Sequence, residues 1–319
     1  MSKHLFGLVV TPYGTAGNNR GESEGNITTL QKILWNGEIH TTVSAEAIRF
    51  AIRRYWESSK GEDQLNRRWR DVGKPHHEWK DHEFKDWQRF IDDDVLGFMS
   101  AEAGKEETND AEDEQSTGKR KKKNRGTATI RRGRLEITRA ISLIPFAGDI
   151  TFNAAGIGAT PSASSTGEHP VPYGAEIHAT RYQYGFALTP ESLSDSSRSI
   201  DVVNAITSLS KVAGNHSRFL YDFSPDAVIY RWTDDFAPRM LYGFSSADNQ
   251  PLSIPEILGR IKQGDIDASE VIVGASTPNT FDSEVAGQLE NLKVKVLGVK
   301  AAAEEVKRRI RADLKLAAS

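Results

Sequence analysis

Residues 102–125 limit the fold more than any other stretch. Seven acidic residues lie between 102 and 114, and KRKKKNR at 119–125 carries six basic residues in seven positions. No large apolar side chain anchors either block, so both read as solvated loop, and any core must be assembled from the sequence on either side. The segment before them, from residue 57, begins SSKGEDQ and packs aromatics among charges: Trp56, Trp69, Trp79 and Trp87 are four of the six tryptophans. We read 57–130 as an insertion between two parts of one core, with the charged flexible loop at 100–128.

The chain has 319 residues, of which 38% are hydrophobic, enough for a substantial core of soluble, globular type. With no cysteine, disulfides, thiolate zinc sites, iron–sulfur clusters and cysteine nucleophiles are excluded, and a reducing cytoplasm is the expected compartment. No apolar run reaches membrane-helix length, and Met1 to Val10 is too short for a signal peptide. The formal net charge of −3 predicts no polyanion partner for the whole chain, so a nucleic-acid surface has to be local.

The apolar run Leu5–Val10, stopped by Pro12 and Gly14, suits a buried strand. A polar Gly/Asn loop follows. Ile48, Ala51, Ile52 and Tyr55 then fall at helical spacing behind an N-cap Ser44, which predicts a helix with Arg49 and Arg53 one turn apart beside its apolar stripe. Phe84, Trp87 and Ile91 are spaced for a second helix ending at Gly97. From Gly133 the pattern returns to strand in RLEITRAISLIPF, then enters a 30-residue Gly/Ala/Ser/Pro-rich stretch read as a protruding hairpin or loop. HATRYQYGFALT reads as a strand, Ser199 to Ala213 as a helix closed by Gly214, and FLYDFSPDAVIYRW as a strand. VIVGAS, VKVLGV and a helix from Ala301 complete the chain. The core order, strand, helix, strand, strand, helix, strand, fits a ferredoxin-like α+β sheet, although the aromatic signature of an RNA-recognition motif is missing.

Chemistry of catalytic type is hard to find. His76, His77 and His82 with Asp81 and Glu83 match no metal-ligand spacing and suit a polar helix surface better. Asp92, Asp93 and Asp94 diverge by 100° each on a helix, so at least one is expected to cap or pair with arginine rather than ligate an ion. GIGAT at 156–160 lacks the G-K-[ST] of a phosphate loop, and GFSSA at 243–247 lacks the last glycine of a nucleophile elbow. No cofactor, metal site or catalytic residue is expected. Basic groups are better placed: Arg20 follows the first strand, Arg49 and Arg53 lie on the first helix, and GNHSR follows the second. Such loops can converge at one end of a ferredoxin-like sheet, where arginine forks and Gly-rich backbone donors bind phosphate. The bland alternative is a set of unrelated surface arginines paired with the 44 acids.

Six strings occur together and in order between about residues 4 and 232: GNNRGESEGNITTLQKI, VSAEAIRFAIRRYW, DDDVLGFM, RRGRLEITRAISLIPFAGDITFN, EIHATRYQYGF and VAGNHSRFLYDFSP. They resemble the DevR-type autoregulator family of CRISPR-associated proteins, in the RAMP superfamily, the backbone subunit of type I Cascade, with subtype I-B the expected setting. The resemblance implies a ferredoxin-like (RRM-like) palm at 1–56, 131–147 and 175–319, helical fingers at 57–130 and a β-hairpin thumb at 148–174. It implies a protein that polymerises along a CRISPR RNA with further copies of itself and other Cascade subunits, and presents the guide to a target DNA strand. Carried over by motif, the guide contacts are Asn18, Asn19, Arg20, Ser44, Arg49, Arg53, Gly214, Asn215, His216 and Arg218. Charge alone assigns Lys119, Arg120, Lys121, Lys122, Lys123 and Arg125 to target DNA. Two other readings stay open. One is a type III-like ribonuclease, for which Glu22, Glu24 or Asp149 could serve; the other is a DNA-binding autoregulator, for which no helix-turn-helix is visible.

Overall fold

The computed structural model describes residues 2–17, 23–101, 128–154, 173–214, 216, 218–247 and 249–317. The predicted first strand is β1 (His4–Val10), buried along its whole length. Its side chains alternate between two cores: Leu5 and Val9 join one, Phe6, Leu8 and Val10 the other. Both faces are covered, which is why the strand reads as a continuous apolar run rather than an alternation. Next come the short strands β2 (Gly14–Gly17), β3 (Ser23–Glu24) and β4 (Ile27–Thr28), then a hairpin of β5 (Lys32–Trp35) and β6 (Glu38–Val43). Asn36 and Gly37, both at positive φ, make its two-residue turn.

α1 (Ala45–Lys60) starts at Ser44, whose hydroxyl accepts the Ala47 amide, and it buries Ile48, Ala51, Ile52 and Trp56. The insertion then holds the hairpin β7 (Arg67–Arg70) and β8 (His76–Trp79), the one-and-a-half-turn helix α2 (Ile91–Leu96), and β9 (Phe98–Ala101) paired with β10 (Ala128–Arg131). The return is through β11 (Glu136–Ile137), β12 (Ala140–Ser142), β13 (Ile150–Asn153), β14 (Tyr173–Thr180) and β15 (Tyr182–Leu188). α3 (Arg198–Thr207), β16 (Ala227–Thr233), α4 (Pro255–Gln263), β17 (Val271–Ala275), α5 (Ser283–Asn291), β18 (Val296–Gly298) and α6 (Val299–Leu314) follow.

The main sheet runs β18-β17-β16-β1-β15-β12-β6-β5, with β11 also on β15. Its middle, β16-β1-β15-β12, is antiparallel at every step. In chain order these elements are β1, α1, β12, β15, α3 and β16, the alternation of periods read from the sequence. α1, α3 and α6 share one core with Leu5, Val9, Tyr184 and Tyr230, through residues such as Ile52, Val203 and Val306. The second core packs Phe6, Leu8 and Ile229 against Ile257 and Leu258 of α4 and Val285 and Leu289 of α5. Among the described residues, no helix is long and apolar enough to cross a membrane.

A smaller sheet, β13-β14-β4-β3 with β2 also on β14, is built on the same ribbon, because β14 passes into β15 across Arg181 alone. The sequence reading of one strand through HATRYQYGFALT is thus two strands serving two sheets. Arg181 pairs with Asp226 at this junction.

Two helix expectations are corrected. Phe84, at φ 56, lies between two turns and Trp87 in the second of them, so only Ile91 of that trio is helical, and the described part of the insertion is mainly strand and turn rather than helical. The trio's spacing is helical, but Trp87 is used instead as a platform for the Arg131 guanidinium, 3.7 Å from the ring centroid. α3 stops at Thr207, not Ala213, with Leu209 and Val212 buried beyond its end.

The aspartate run fastens the insertion to the core. Asp92 accepts the backbone amides of Asn66 (2.9 Å) and Arg67 (3.0 Å), and Asn66 donates its side-chain amide to Asp93 at 2.8 Å. Asp94 bonds Arg131 at 2.5 Å and Arg198 of α3 at 2.7 Å. The three do not converge on one ion: Asp92 and Asp93 both hold the start of β7 at Asn66, and Asp94 turns to Arg131 and Arg198. From α1, Arg49 donates to the carbonyls of Leu96 (3.1 Å) and Leu135 (3.0 Å), tying the end of α2 to the segment that returns to the core.

Candidate nucleic-acid interface

The predicted guide contacts among the described residues lie on two parts of the fold, the segment from Gly214 to Arg218 and α1. Gly214 lies against the end of β2: a Cβ there would sit 2.7 Å from the Gly17 carbonyl oxygen, and its φ is +78°. Gly17 in turn lies under Phe219, whose ring would be 2.5 Å from an added Cβ. The second glycine therefore does not cap a helix; it lets the 213–219 loop approach β2 where that strand leads into 18–22. Asn18, Asn19, Arg20 and Asn215 are outside the described residues, as are Lys119 to Arg125.

His216 is half-buried, and its ring faces the Ala213 backbone. Burial lowers its pKa more than the Ala213 backbone raises it, and Lys211 adds to the lowering, so the ring is neutral at pH 7. A neutral imidazole offers one donor and one acceptor. Arg218 is exposed, with its guanidinium carbon 5.0 Å from the ring centroid of Tyr173, the first residue of β14. Beneath the loop, the Tyr221 hydroxyl lies 2.7 Å from the Thr11 hydroxyl and donates to the Thr180 carbonyl at 2.8 Å, which fixes the loop to the point where β14 becomes β15. The result is a cation over an aromatic face, a neutral imidazole and close-packed glycine backbone beside β2 and β14 of the smaller sheet. Tyr173, Gly17 and Phe219 were missed from sequence because nothing but the fold brings them to this loop.

The second group sits on α1. Ser44 is engaged as N-cap and Arg49 as the carbonyl clamp. Arg53 makes one long ion pair with Asp92, 3.8 Å. No hydrogen bond or ion pair among the described residues joins this group to the 213–219 loop. Of the three carboxylates considered for RNA cleavage, Glu24 is exposed on β3, the Asp149 backbone carbonyl accepts the Ile177 amide, and Glu22 is outside the described residues.

The sequence pattern of the CRISPR-associated negative auto-regulator DevR/Csa2 family matches residues 15–317. The chain belongs to the DevR/Csa2 family of CRISPR-associated proteins. The match extends well past residue 232, so the second core and α6 belong to the family fold as well. The CRISPR-associated protein Cas7/Cst2/DevR of Myxococcus xanthus (strain DK1622) is 47% identical over 291 residues, covering 89% of this chain and 90% of that protein. A chain of a CRISPR RNA-guided surveillance complex shares the fold at TM-score 0.53 and 14% identity, over 95% of this chain and 99% of its own. A chain of a CRISPR RNA-guided surveillance complex in a pre-nicking state does so at TM-score 0.53 and 10% identity, over 96% and 100%. At such identities these two likenesses concern the fold alone.

Proposed function

We propose that this DevR/Csa2-family protein is a CRISPR RNA-binding backbone subunit of a type I surveillance complex. The observation that carries the reading is the approach of Gly214 to Gly17 of β2 and of Arg218 to Tyr173 of β14, with His216 between Gly214 and Arg218 in the chain. Arginine, a neutral imidazole and close backbone suit a sugar-phosphate chain, whose affinity is largely independent of sequence. In this reading the β1-α1-β12-β15-α3-β16 unit is a ferredoxin-like palm, the β13–β14 ribbon is the base of a thumb, and 57–130 forms the fingers. Copies line up along the guide with other complex subunits, and the guide is presented to a target DNA strand, with Lys119 to Arg125 as DNA contacts. The role is binding without catalysis. Incubation of the purified protein with RNA and divalent metal is expected to leave the RNA intact, and cleavage would favour the ribonuclease reading.

The reading is tested at Arg218. Arg218→Ala is expected to weaken binding to labelled single-stranded RNA similarly for all sequences and to reduce the salt slope of log K by about 0.7, one phosphate contact on a single strand. An unchanged affinity and slope would contradict it.

A further inference from the structure

The β7–β8 hairpin carries a second surface with a composition suited to nucleic acid. Its register pairs Arg67 with Trp79 and Trp69 with His77 on one face, and Arg68 with Glu78 and Arg70 with His76 on the other. The second face is charge-balanced: Arg68 meets Glu62 at 2.6 Å, and Arg70 meets Glu62 at 3.0 Å and Glu78 at 2.8 Å. The first face lies against α1 and is not balanced. Arg67 donates to His77 Nε2 at 2.7 Å, which leaves the His77 proton on Nδ1, facing the Arg68 backbone. The Nε–H groups of Arg53 and Arg67 are without hydrogen-bond partners. Asp92 alone among the described carboxylates forms an ion pair with Arg53, and its oxygens already hold two backbone amides. Burial lowers the Arg53 pKa to about 10; Asp92 opposes the fall, and the neighbouring Arg67 and Arg49 charges add to it.

Beside these cations is a set of rings. Phe50 lies edge-on to Trp69 at 5.8 Å and to His77 at 6.3 Å, and Trp69 and His77 are 4.7 Å apart. Phe50 is 38% exposed, so the set opens to solvent. Arg67, which forms no ion pair among the described residues, and Arg53, held only by the long contact to Asp92, lie next to open aromatic surface, and a nucleotide needs both: phosphate on one side and base on the other.

We propose that the face formed by α1 and the β7–β8 hairpin binds one nucleotide of single-stranded nucleic acid, its phosphate against Arg53 and Arg67 and its base against Trp69 and Phe50. The proposal rests on the RNA-binding reading for the class of ligand, and places a contact in the insertion, on a surface separate from the 213–219 loop.

The test uses the full chain with fluorescein-labelled 15-nucleotide oligouridine and oligothymidine, each also made with a photoreactive 4-thio base. Trp69→Leu is expected to weaken binding about tenfold, the loss of one stacked base, while Trp69→Phe stays close to wild type. Arg67→Gln is expected to lower the salt slope by about 0.7, whereas Arg68→Gln, on the balanced face, leaves it unchanged. Should Trp69→Leu fail to fold, the crosslinks decide. Adducts at Phe50, Trp69 or His77 support the site, and the oligomer giving more of them identifies its ligand as the guide or a DNA strand. Adducts confined to 213–219, or wild-type affinity in a folded Trp69→Leu protein, would overturn this site and leave the RNA-binding reading intact. No binding and no adducts would remove both.

Discussion

At Asp93, burial first and the Asp92 charge second raise the carboxyl to about 7 from an ordinary value of 3.8. An acid that holds its proton more tightly when folded makes stability fall as pH rises from about 4 to about 7, because the unfolded chain releases the proton earlier; above 7 the penalty is constant, at most about 4 kcal/mol. Asp93→Asn keeps an acceptor for Asn66 and removes the titration. Its Tm relative to wild type is expected to be several degrees more favourable at pH 8 than at pH 5, and equal shifts at both pH values would contradict this account of the site. Asp94 behaves oppositely: burial would raise it, but the Ser194 amide and Arg198 outweigh burial and hold it low. Arg49 is a fastening rather than a free cation. Arg49→Ala leaves two carbonyls without a donor and is expected to cost about 2 kcal/mol, read as a lower denaturation midpoint in the absence of RNA. Unchanged stability with weaker RNA binding would instead return Arg49 to the interface.

Among the elements, sequence legibility followed the strength of the apolar pattern. β1 and α1 were readable because Leu5–Val10 and the Ile48–Ala51–Ile52 stripe bury with little competition from polar groups. The β5–β6 hairpin was not: Leu34 and Ile39 are exposed, so its pattern looked like loop. The stretch around Phe84 and Trp87 was misread as helical because the two fall at helical spacing while serving a ring stack and a cation platform. Its hairpins are held by cross-strand Arg–Glu pairs and by Asp92 and Asp93, which leave little hydrophobic periodicity. The interface was half legible. Arg218 and His216 stood out by residue type, whereas Tyr173 and Gly17 acquire meaning only when β14 and β2 pair. Since β13 and β14 are zipped from Ile150↔Glu176 to Asn153↔Tyr173, replacing residues 155–172 with a short Gly-Asn turn is expected to leave Tm within a few degrees of wild type while abolishing long assemblies on RNA in electron micrographs. A large fall in Tm would mean that this segment is core.

At the scale of the molecule, one sheet sandwiched between two helical layers supplies rigidity, and the groups proposed to bind nucleic acid sit beside β2 and β14 of the smaller sheet and on the inserted hairpin. With a formal charge of −3, the proposed attraction to RNA has to be local, through Arg218 and its neighbours, and is therefore expected to depend strongly on salt. Purification from cells expressing a CRISPR array, followed by absorbance at 260 and 280 nm and sequencing of the bound RNA, tests this most directly. The account predicts repeat-spacer RNA held by multiple copies of the protein and released by high salt; recovery of RNA-free, monodisperse monomer would contradict it.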